Sequence, residues 1–164
     1  AKGVGLDAIR QVATTFSGVE HRLEFVRELH GVLYYNDSIA SSPTRTNAGL
    51  AALPFPVVLI AGGYDKKIPF EPLAEAVVGR VDSLALIGQT APAIAKAVNR
   101  ELEKQTATMT MQQFATLQEA LLWCQKQARP GTAVVLSPAC ASFDMYKDFE
   151  ERGRIFKQLV KDLQ

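Results

Sequence analysis

The sequence has few of the residues and patterns that mark several large protein classes. Two cysteines among 164 residues cannot form a disulfide framework, so a reducing compartment, the cytosol, is expected. A net charge of +1 gives little attraction for nucleic acid or an anionic membrane. No apolar run is long enough to span a membrane, and the N-terminus lacks a secretion-signal pattern. We therefore expect a cytoplasmic protein with no nucleic-acid or membrane partner.

Motifs for autonomous chemistry are also missing. No G-x-G-x-x-G follows the paired glycines Gly62–Gly63, and no G-x-x-x-x-G-K-[ST] loop is present, which argues against ATP chemistry by the chain alone. There is no G-x-S-x-G elbow, and His21 and His30, expected at the surface or in turns, give little support for a Ser or Cys triad. Cys140 fits a small buried apolar residue better than a reactive thiol. We expect no catalytic residue and no metal site here.

The length and composition fit one well-buried domain with a short appendage. The first stretch, AKGVGLDAIRQVATTF, begins without Met and predicts a helix with little to pack against. The following SGVEHR has the character of a linker. We therefore expect residues 1–18 to be a linker or the tail of a preceding domain, residues 19–164 to form the domain, and the chain to be part of a longer protein.

The remaining pattern predicts an α/β fold of the Rossmann-like kind. Two short alternating runs around His30–Gly31 are consistent with a hairpin, and strands then alternate with helices. Buried strands between helices indicate a mostly parallel sheet with helices on both faces. The predicted helix and strand pairs are 43–53 with 55–63, 70–80 with 81–88, 91–102 with 106–111, and 114–128 with 131–138, before a last helix at 148–163.

Three irregular segments follow predicted strands, where such sheets bind ligands. In AGGYDKK, residues 61–67, two glycines and two lysines could hold an anion, or the glycines could simply end a strand beside solvated lysines. In NDSIASS, residues 36–42, Asn36 and Asp37 could bind sugar hydroxyls or form a turn, while the serines could cap the next helix.

The third segment, SPACASFD at residues 137–144, has small residues that would let a ligand approach the backbone. Ser142 could donate a hydrogen bond to a carboxylate beside the apolar surfaces of Phe143 and Phe149.

Taken together, HRLEFV, YYNDSIASSPTRTNAGL, IAGGYDKKIPF and LSPACASFDMYKDFEERGRIF closely resemble the C-terminal domain of the Mur ligases. The resemblance runs from about residue 19 to the end, and SPACASFD followed by F and RG is its most specific part. It is strongest to the family member that adds D-glutamate to UDP-N-acetylmuramoyl-L-alanine in peptidoglycan synthesis. The family implies an N-terminal domain for the UDP-sugar, a central ATPase domain with the P-loop, and this third domain.

The resemblance also implies a reaction and its ligands. ATP and Mg²⁺ in the complete bacterial enzyme would convert the substrate's carboxylate into an acyl phosphate, which the D-glutamate amine attacks. The missing P-loop is then expected, and the chain alone should be inactive and bind no cofactor tightly. The residues implied at the D-glutamate site are Ser142, Phe143, Phe149, Lys66 and Ser41.

For ATP or ADP, the resemblance implies a contact from Asp37 to the ribose, with Asn36 beside it, and from Arg22 nearer the phosphates or base. One departure matters: many D-glutamate ligases read NDSKAT where this chain reads NDSIASS, so Ile39 replaces a lysine. We hypothesise that Arg45 or Lys67 compensates.

Two alternatives remain open. Another Mur ligase or a folylpolyglutamate synthetase would share the fold and a different substrate. A free-standing Rossmann-like module would bind a nucleotide or protein without catalysis, although the missing phosphate-binding loops argue against it.

Overall fold

The computed structural model describes residues 18–164, and the helix predicted in residues 1–16 lies outside them. The described strands are β1 (Glu24–Leu29), β2 (Val32–Asn36), β3 (Val57–Gly62), β4 (Val81–Ile87), β5 (Thr110–Phe114) and β6 (Ala133–Leu136). The described helices are α1 (Pro43–Ala52), α2 (Glu71–Arg80), α3 (Ala91–Gln105), α4 (Leu117–Gln127) and α5 (Phe149–Asp162).

The strands form a single six-stranded sheet in the order β1-β2-β6-β3-β4-β5. Strands β1 and β2 are an antiparallel hairpin, and every other neighbouring pair is parallel. The α/β fold, the mostly parallel sheet and the initial hairpin are therefore confirmed.

Helices cover both faces of the sheet, as predicted. One core lies between the sheet and α1, α2 and α3, and it contains Leu50, Leu73 and Ile94. The opposite core lies against α4 and α5 and contains Leu121 and Phe156. Successive residues of β3 alternate between the two cores, so every residue of this central strand is buried.

The edge strand β5 differs from its predicted position at residues 106–111. Helix α3 continues to Gln105, and Thr106 ends it with a left-handed backbone, φ 52°. The strand consequently starts at Thr110, and its polar side chains are largely exposed, unlike the doubly buried strands that we predicted. Thr116 then starts α4 through a capping box with Glu119, two residues after the strand ends.

Among residues 18–164, no helix combines the length and the apolar character that crossing a bilayer would require.

Candidate functional site

Three loops meet at one edge of the sheet because the strands before them are neighbours. The β2 loop (37–42), the β3 loop (63–67) and the β6 loop (137–148) follow three strands that are adjacent and parallel in the order β2-β6-β3. Their carboxyl ends point the same way, where α/β sheets usually bind ligands. The structure thus brings together the three segments singled out in the sequence.

Glycines let the backbones of these loops pack closely. Gly62 and Gly63 have φ values of 114° and 145°, which side chains strongly disfavour. A Cβ at Gly62 would overlap the carbonyl oxygen of Ile87, and one at Gly63 would overlap that of Ala141. Packing between loops therefore explains both glycines without a ligand.

Asp37 is the buried carboxylate of the β2 loop. Its side chain accepts hydrogen bonds from the Leu23 backbone N–H at 3.1 Å and from the Ser137 hydroxyl at 2.7 Å. Gly49 allows this placement, because a Cβ there would lie 2.9 Å from Asp37 Oδ2. The carboxylate thus has a fixed position set by β6, by α1 and by the segment before β1.

Burial raises the pKa of Asp37 above its ordinary value of 3.8, although several groups act in the opposite direction. The hydrogen bonds from Ser137 and Leu23 and the charges of Arg22 and Arg45 favour the ionised form. Desolvation outweighs these groups, so the ionised form of Asp37 is less favourable than that of an exposed aspartate.

Asp37 lines a cavity of about 320 Å³, which we call the Arg22 cavity. Its polar side chains are Asp37, Arg22 and Arg45, and its apolar lining includes Leu23, Ile39 and Ala48. Arg45 also donates a hydrogen bond to the Ile39 carbonyl at 3.3 Å. One carboxylate facing two cations across a partly apolar cavity suits a ligand with hydroxyl and anionic groups.

Asn36 and His21 fix the chain that precedes β1. His21 lies in the turn before β1, one of the two positions expected for it, and it is buried there at 4% exposure. The Asn36 amide donates to His21 Nδ1 at 2.8 Å and to Glu24 Oε2 at 3.0 Å, while its oxygen accepts from the Ser38 N–H. Asn36 is thus fully engaged within the protein, and it supports the neighbouring Asp37.

The other side of the site edge holds Ser142, Phe143 and Lys66. Phe143 is 67% exposed and meets Tyr64 edge-on, with ring centroids 6.1 Å apart. Both rings line an open cavity of about 540 Å³ together with Phe114 and Asp144. Lys66 is an exposed residue of the β3 loop, whereas Ser142 is only 1% exposed.

Ser41 belongs to the β2 loop, and Phe149 lies beside that loop. Ser41 is half-buried, and its N–H donates to the Ile39 carbonyl at 2.8 Å. Phe149 begins α5 and meets the His21 ring edge-on at 6.0 Å. Its carbonyl accepts the Ser38 hydroxyl at 2.7 Å. The five residues implied for D-glutamate therefore come from all three loops and the start of α5.

The two cysteines are not poised for nucleophilic chemistry. Both are buried, and burial raises the pKa of Cys140 to about 11 and that of Cys124 further above its ordinary value. The Cys140 sulfur lies 3.2 Å from the Thr90 hydroxyl. These thiols stay protonated near neutral pH, in line with the expectation for Cys140.

Within residues 18–164, the side chains that could together ligate a metal are Glu20, His21 and Glu24, whose ligand atoms lie within 4.8 Å of one another. However, Lys157 Nζ lies 2.6 Å from Glu20 and 2.9 Å from Glu24. The Lys157 ammonium group thus already pairs with both carboxylates and occupies their oxygens, an arrangement that does not fit a divalent cation.

We included Arg152 in the most specific sequence motif, as the R of RG, but gave it no role; the structure places it at the site edge with 1% exposure. Burial lowers its pKa to about 10, so it stays charged at neutral pH. A signal was present: Phe149, Arg152 and Phe156 follow the spacing of one helix side, so a charge interrupts the apolar side of α5. Gly153, the G of the same motif, was also given no role; a Cβ there would overlap the His21 ring.

Residues 21–140 match the family model described as Mur ligase, glutamate ligase domain. A UDP-N-acetylmuramoylalanine–D-glutamate ligase of Acetivibrio thermocellus is 52% identical over 163 residues, covering 98% of this chain and 35% of that ligase. The ligase of the same name from Clostridium kluyveri is 54% identical over 161 residues, with 98% and 35% covered. The chain thus spans about a third of the length of these relatives.

Solved structures with low sequence identity share the fold. A Yersinia pestis bifunctional folylpolyglutamate synthase/dihydrofolate synthase, complexed with AMPPNP and Mn, matches with a TM-score of 0.63 and 18% identity over 96% of this chain and 35% of that one. A murein peptide ligase of Psychrobacter arcticus matches with a TM-score of 0.61 and 14% identity over 99% and 34%.

Proposed function

The chain belongs to the Mur ligase family, as its glutamate ligase domain, and from this premise we propose that it is the D-glutamate-binding part of an ATP-dependent ligase. The parent enzyme would join D-glutamate to UDP-N-acetylmuramoyl-L-alanine in bacterial peptidoglycan synthesis, in the cytosol. The observation that carries the proposal is the identity of about half along nearly the whole chain with ligases of that name.

We also propose how the parent protein is divided. Residues 19–164 form its C-terminal domain, and residues 1–18 are the linker or the tail of the central ATPase domain. The P-loop and the UDP-sugar site then belong to the remaining two thirds of the parent chain. On this proposal, the present chain alone has no ligase activity and holds no cofactor tightly.

At the D-glutamate site, each residue has a distinct role. The Lys66 ammonium group pairs with a carboxylate of D-glutamate, and the hydroxyl groups of Ser41 and Ser142 donate hydrogen bonds. Phe143 and Phe149 form the apolar wall. Because Ser142 is nearly buried, its contact requires a small movement of the β6 loop when the ligand enters.

The carboxylate and the two guanidinium groups that line the Arg22 cavity suit a nucleotide. The Asp37 carboxylate accepts hydrogen bonds from ribose hydroxyls, Arg22 lies nearer the phosphates or base, and Asn36 holds this end of β2 in place. ATP would supply the phosphoryl group that activates the carboxylate of the sugar substrate. The Glu20 and Glu24 carboxylates do not fit Mg²⁺, so we assign no metal-dependent step to these residues.

Arg45 is the better candidate to replace the lysine expected at position 39. It lines the Arg22 cavity, and it lies in the same pocket as Ile39. Lys67 instead pairs with Asp65, Nζ to Oδ2 at 2.7 Å, on the β3 loop. We therefore propose Arg45, and not Lys67, as the second cation near the nucleotide.

The catalytic contribution of the domain would be placement and closure. The loops orient the D-glutamate amine, and closure on the central domain brings it to the activated carboxylate. Closure also excludes water that would hydrolyse that activated group.

The testing experiment uses the full-length ligase. Lys66→Ala removes the proposed charge pair and should raise the KM for D-glutamate roughly tenfold, with less than about a twofold change in the KM for ATP. Ser142→Ala should act in the same direction with a smaller effect. Lys126→Ala, an exposed lysine on α4, is the control. Equal effects of Lys66→Ala on both KM values would contradict the assignment.

The fold likeness to folylpolyglutamate synthases keeps a different amino-acid substrate as an alternative within the family. Activity of the full-length protein with D-glutamate, L-alanine and meso-diaminopimelate separates these cases. A preference for either of the last two would replace the proposed substrate and leave the family unchanged. No turnover with any of them is expected both of a folylpolyglutamate synthase and of a non-catalytic binding module, and turnover of L-glutamate with a folate distinguishes these two.

A further inference from the structure

Arg152 lies in the first turn of α5 and is one of the most deeply buried side chains of the domain, at 1% exposure. Its neighbours along the same side of the helix are Phe149 and Phe156. A positive charge in this position carries a large desolvation cost unless hydrogen bonds compensate it. The acceptors around Arg152 therefore indicate what the charge does.

These acceptors belong to two different loops. Arg152 Nε donates to the Ser38 hydroxyl at 3.0 Å, and Nη2 donates to the Ser38 carbonyl at 2.9 Å. Nη2 also donates to the Cys140 carbonyl at 3.2 Å, and Nη1 to the Ala141 carbonyl at 3.3 Å. One planar group thus fixes the β2 loop next to Asp37 and the β6 loop next to Ser142.

The third loop is connected through the same atoms. The Ala141 carbonyl accepts the Tyr64 N–H at 2.9 Å in addition to Arg152. Gly63 packs against the guanidinium, since a Cβ there would lie 3.3 Å from Nη1. The β3 loop, which carries Lys66, is therefore held against the same pair of groups.

The connection also reaches Phe149. The Ser38 hydroxyl accepts from Arg152 Nε and donates its own proton to the Phe149 carbonyl. The four acceptors of Arg152 are three carbonyl oxygens and one hydroxyl. The guanidinium is therefore held by hydrogen bonds to neutral groups whose positions are fixed by the loops, and not by an ion pair. A well-packed apolar side chain would stabilise the helix at lower desolvation cost.

We propose that Arg152 is a positioning residue that couples the nucleotide and D-glutamate subsites. It holds the β2 loop, with Asp37, against the β6 and β3 loops, with Ser142 and Lys66. A ligand that shifts one loop then changes the affinity of the other subsite. This inference rests on the proposed function, because that function places two ligands on these loops.

The experiment measures this coupling by titration calorimetry on the full-length ligase. The dissociation constant of ADP is determined with and without saturating D-glutamate, and that of D-glutamate with and without ADP. Thermodynamic linkage requires the two ratios to be equal. In the wild type we expect a ratio that differs from one by at least about threefold.

Three variants distinguish coupling from folding. Arg152→Lys keeps the positive charge but loses the planar set of guanidinium N–H donors. The ratio of its dissociation constants should therefore fall to within about 1.5-fold of one. Ser38→Ala keeps Arg152 and removes only the shared hydroxyl, and its ratio should fall in the same direction. Arg154→Lys, an exposed residue of the same helix that pairs with Glu150, should keep the wild-type ratio. Circular dichroism checks that each variant is folded.

The outcomes separate the two proposals. A wild-type ratio of one, or an unchanged ratio in folded Arg152→Lys, overturns the coupling and leaves the proposed function standing. If Arg152→Lys does not fold, an unchanged ratio in Ser38→Ala overturns it. If the wild-type protein binds neither ligand, the proposed function fails, and the coupling fails with it.

Discussion

At the residue scale, Asp37 is a buried carboxylate whose ionised form carries a desolvation cost. Its carboxylate is 4% exposed and receives hydrogen bonds from Ser137 and Leu23. Burial nevertheless raises its pKa, so the ionised form is held in an unfavourable environment within the domain. A ligand that donates hydroxyl groups would relieve that cost, which links the stability of the domain to binding.

The pH dependence of stability follows from the sign of this shift. The folded-state pKa lies above the ordinary 3.8, so between the two values the folded state binds more protons than the unfolded state. This contribution to the free energy of unfolding therefore falls as the pH rises through that window. Asp37→Asn should remove the fall, whereas Asp82→Asn, an exposed position on β4, should keep it. Urea denaturation across a pH series measures both.

The same Asp37→Asn variant should weaken ADP binding at least about tenfold in the full-length ligase, because a charged acceptor is replaced by an amide. The amide can still donate to Ser137, so the fold should remain. A variant with the wild-type pH dependence and wild-type ADP affinity would contradict both the buried charge and the ribose contact.

Arg45 and Lys67 give a second residue-scale prediction. Arg45 faces the Arg22 cavity, so Arg45→Ala should raise the dissociation constant of ADP roughly fivefold. Lys67→Ala should leave it within about twofold, because Lys67 pairs with Asp65 on another loop. Calorimetry with ADP measures both variants, and the reverse order of effects would exclude Arg45.

Residue type alone marked Asp37, Lys66 and Ser142 as candidates for binding polar or anionic groups, whereas the nucleotide and D-glutamate assignments came from the resemblance to the Mur ligases. What could not be selected was how they are supported. Arg152 and His21 act through backbone atoms and side chains far away in the chain, and these contacts exist only after the strands have assembled. The charge on the apolar side of α5 was visible in the sequence, but its acceptors were not.

At the element scale, the end of β3 determines how closely the loops approach. The strand finishes at Gly62, where the backbone takes a positive φ and passes the carbonyl of Ile87. Gly62 N–H donates to the Pro138 carbonyl at 2.8 Å, which ties β3 to the β6 loop. Any side chain here would separate two neighbouring strands at the site edge.

Two glycine substitutions test this directly. Gly62→Ala should lower the free energy of unfolding by roughly 2–4 kcal/mol, because it combines a disfavoured φ with a backbone overlap. Gly79→Ala lies in helix α2 with no atom within 4 Å of the added Cβ, and should stabilise by about 0.5–1 kcal/mol. Urea denaturation measures the free energy of unfolding of both variants. An unchanged free energy of unfolding in Gly62→Ala would contradict the described packing.

Most elements could be predicted because their periodicity agrees with their burial. Strands β3 and β6 are continuous apolar runs, β4 is apolar after Ser83, and the helices between them have one apolar side. Strand β5 was predicted too early, because the alternation of Thr with Ala or Met already begins at Thr106, the residue that caps α3, and continues through the loop to Thr110. An exposed edge strand gives little hydrophobic pattern to read.

At the scale of the whole molecule, the strand order explains why loops distant in sequence meet. Strand β6 lies between β2 and β3, so residues 137–148 sit between two segments that precede them by about half the chain. The sequence pattern predicted a parallel sheet and the three loops, but the order of strands depends on how the helices pack. Under the proposed function, the described loops would form one side of a cleft that the other domains of the parent enzyme complete.

The most direct measurement of the central claim is an amide NMR titration of this chain with D-glutamate, with L-glutamate as the control, repeated by calorimetry on the full-length ligase. We predict shifts at Lys66, Ser142 and Phe149 with the D-enantiomer only, and binding of D-glutamate by the full-length protein. Equal responses to both enantiomers, or no binding by the full-length ligase, would contradict the assignment of this site to D-glutamate.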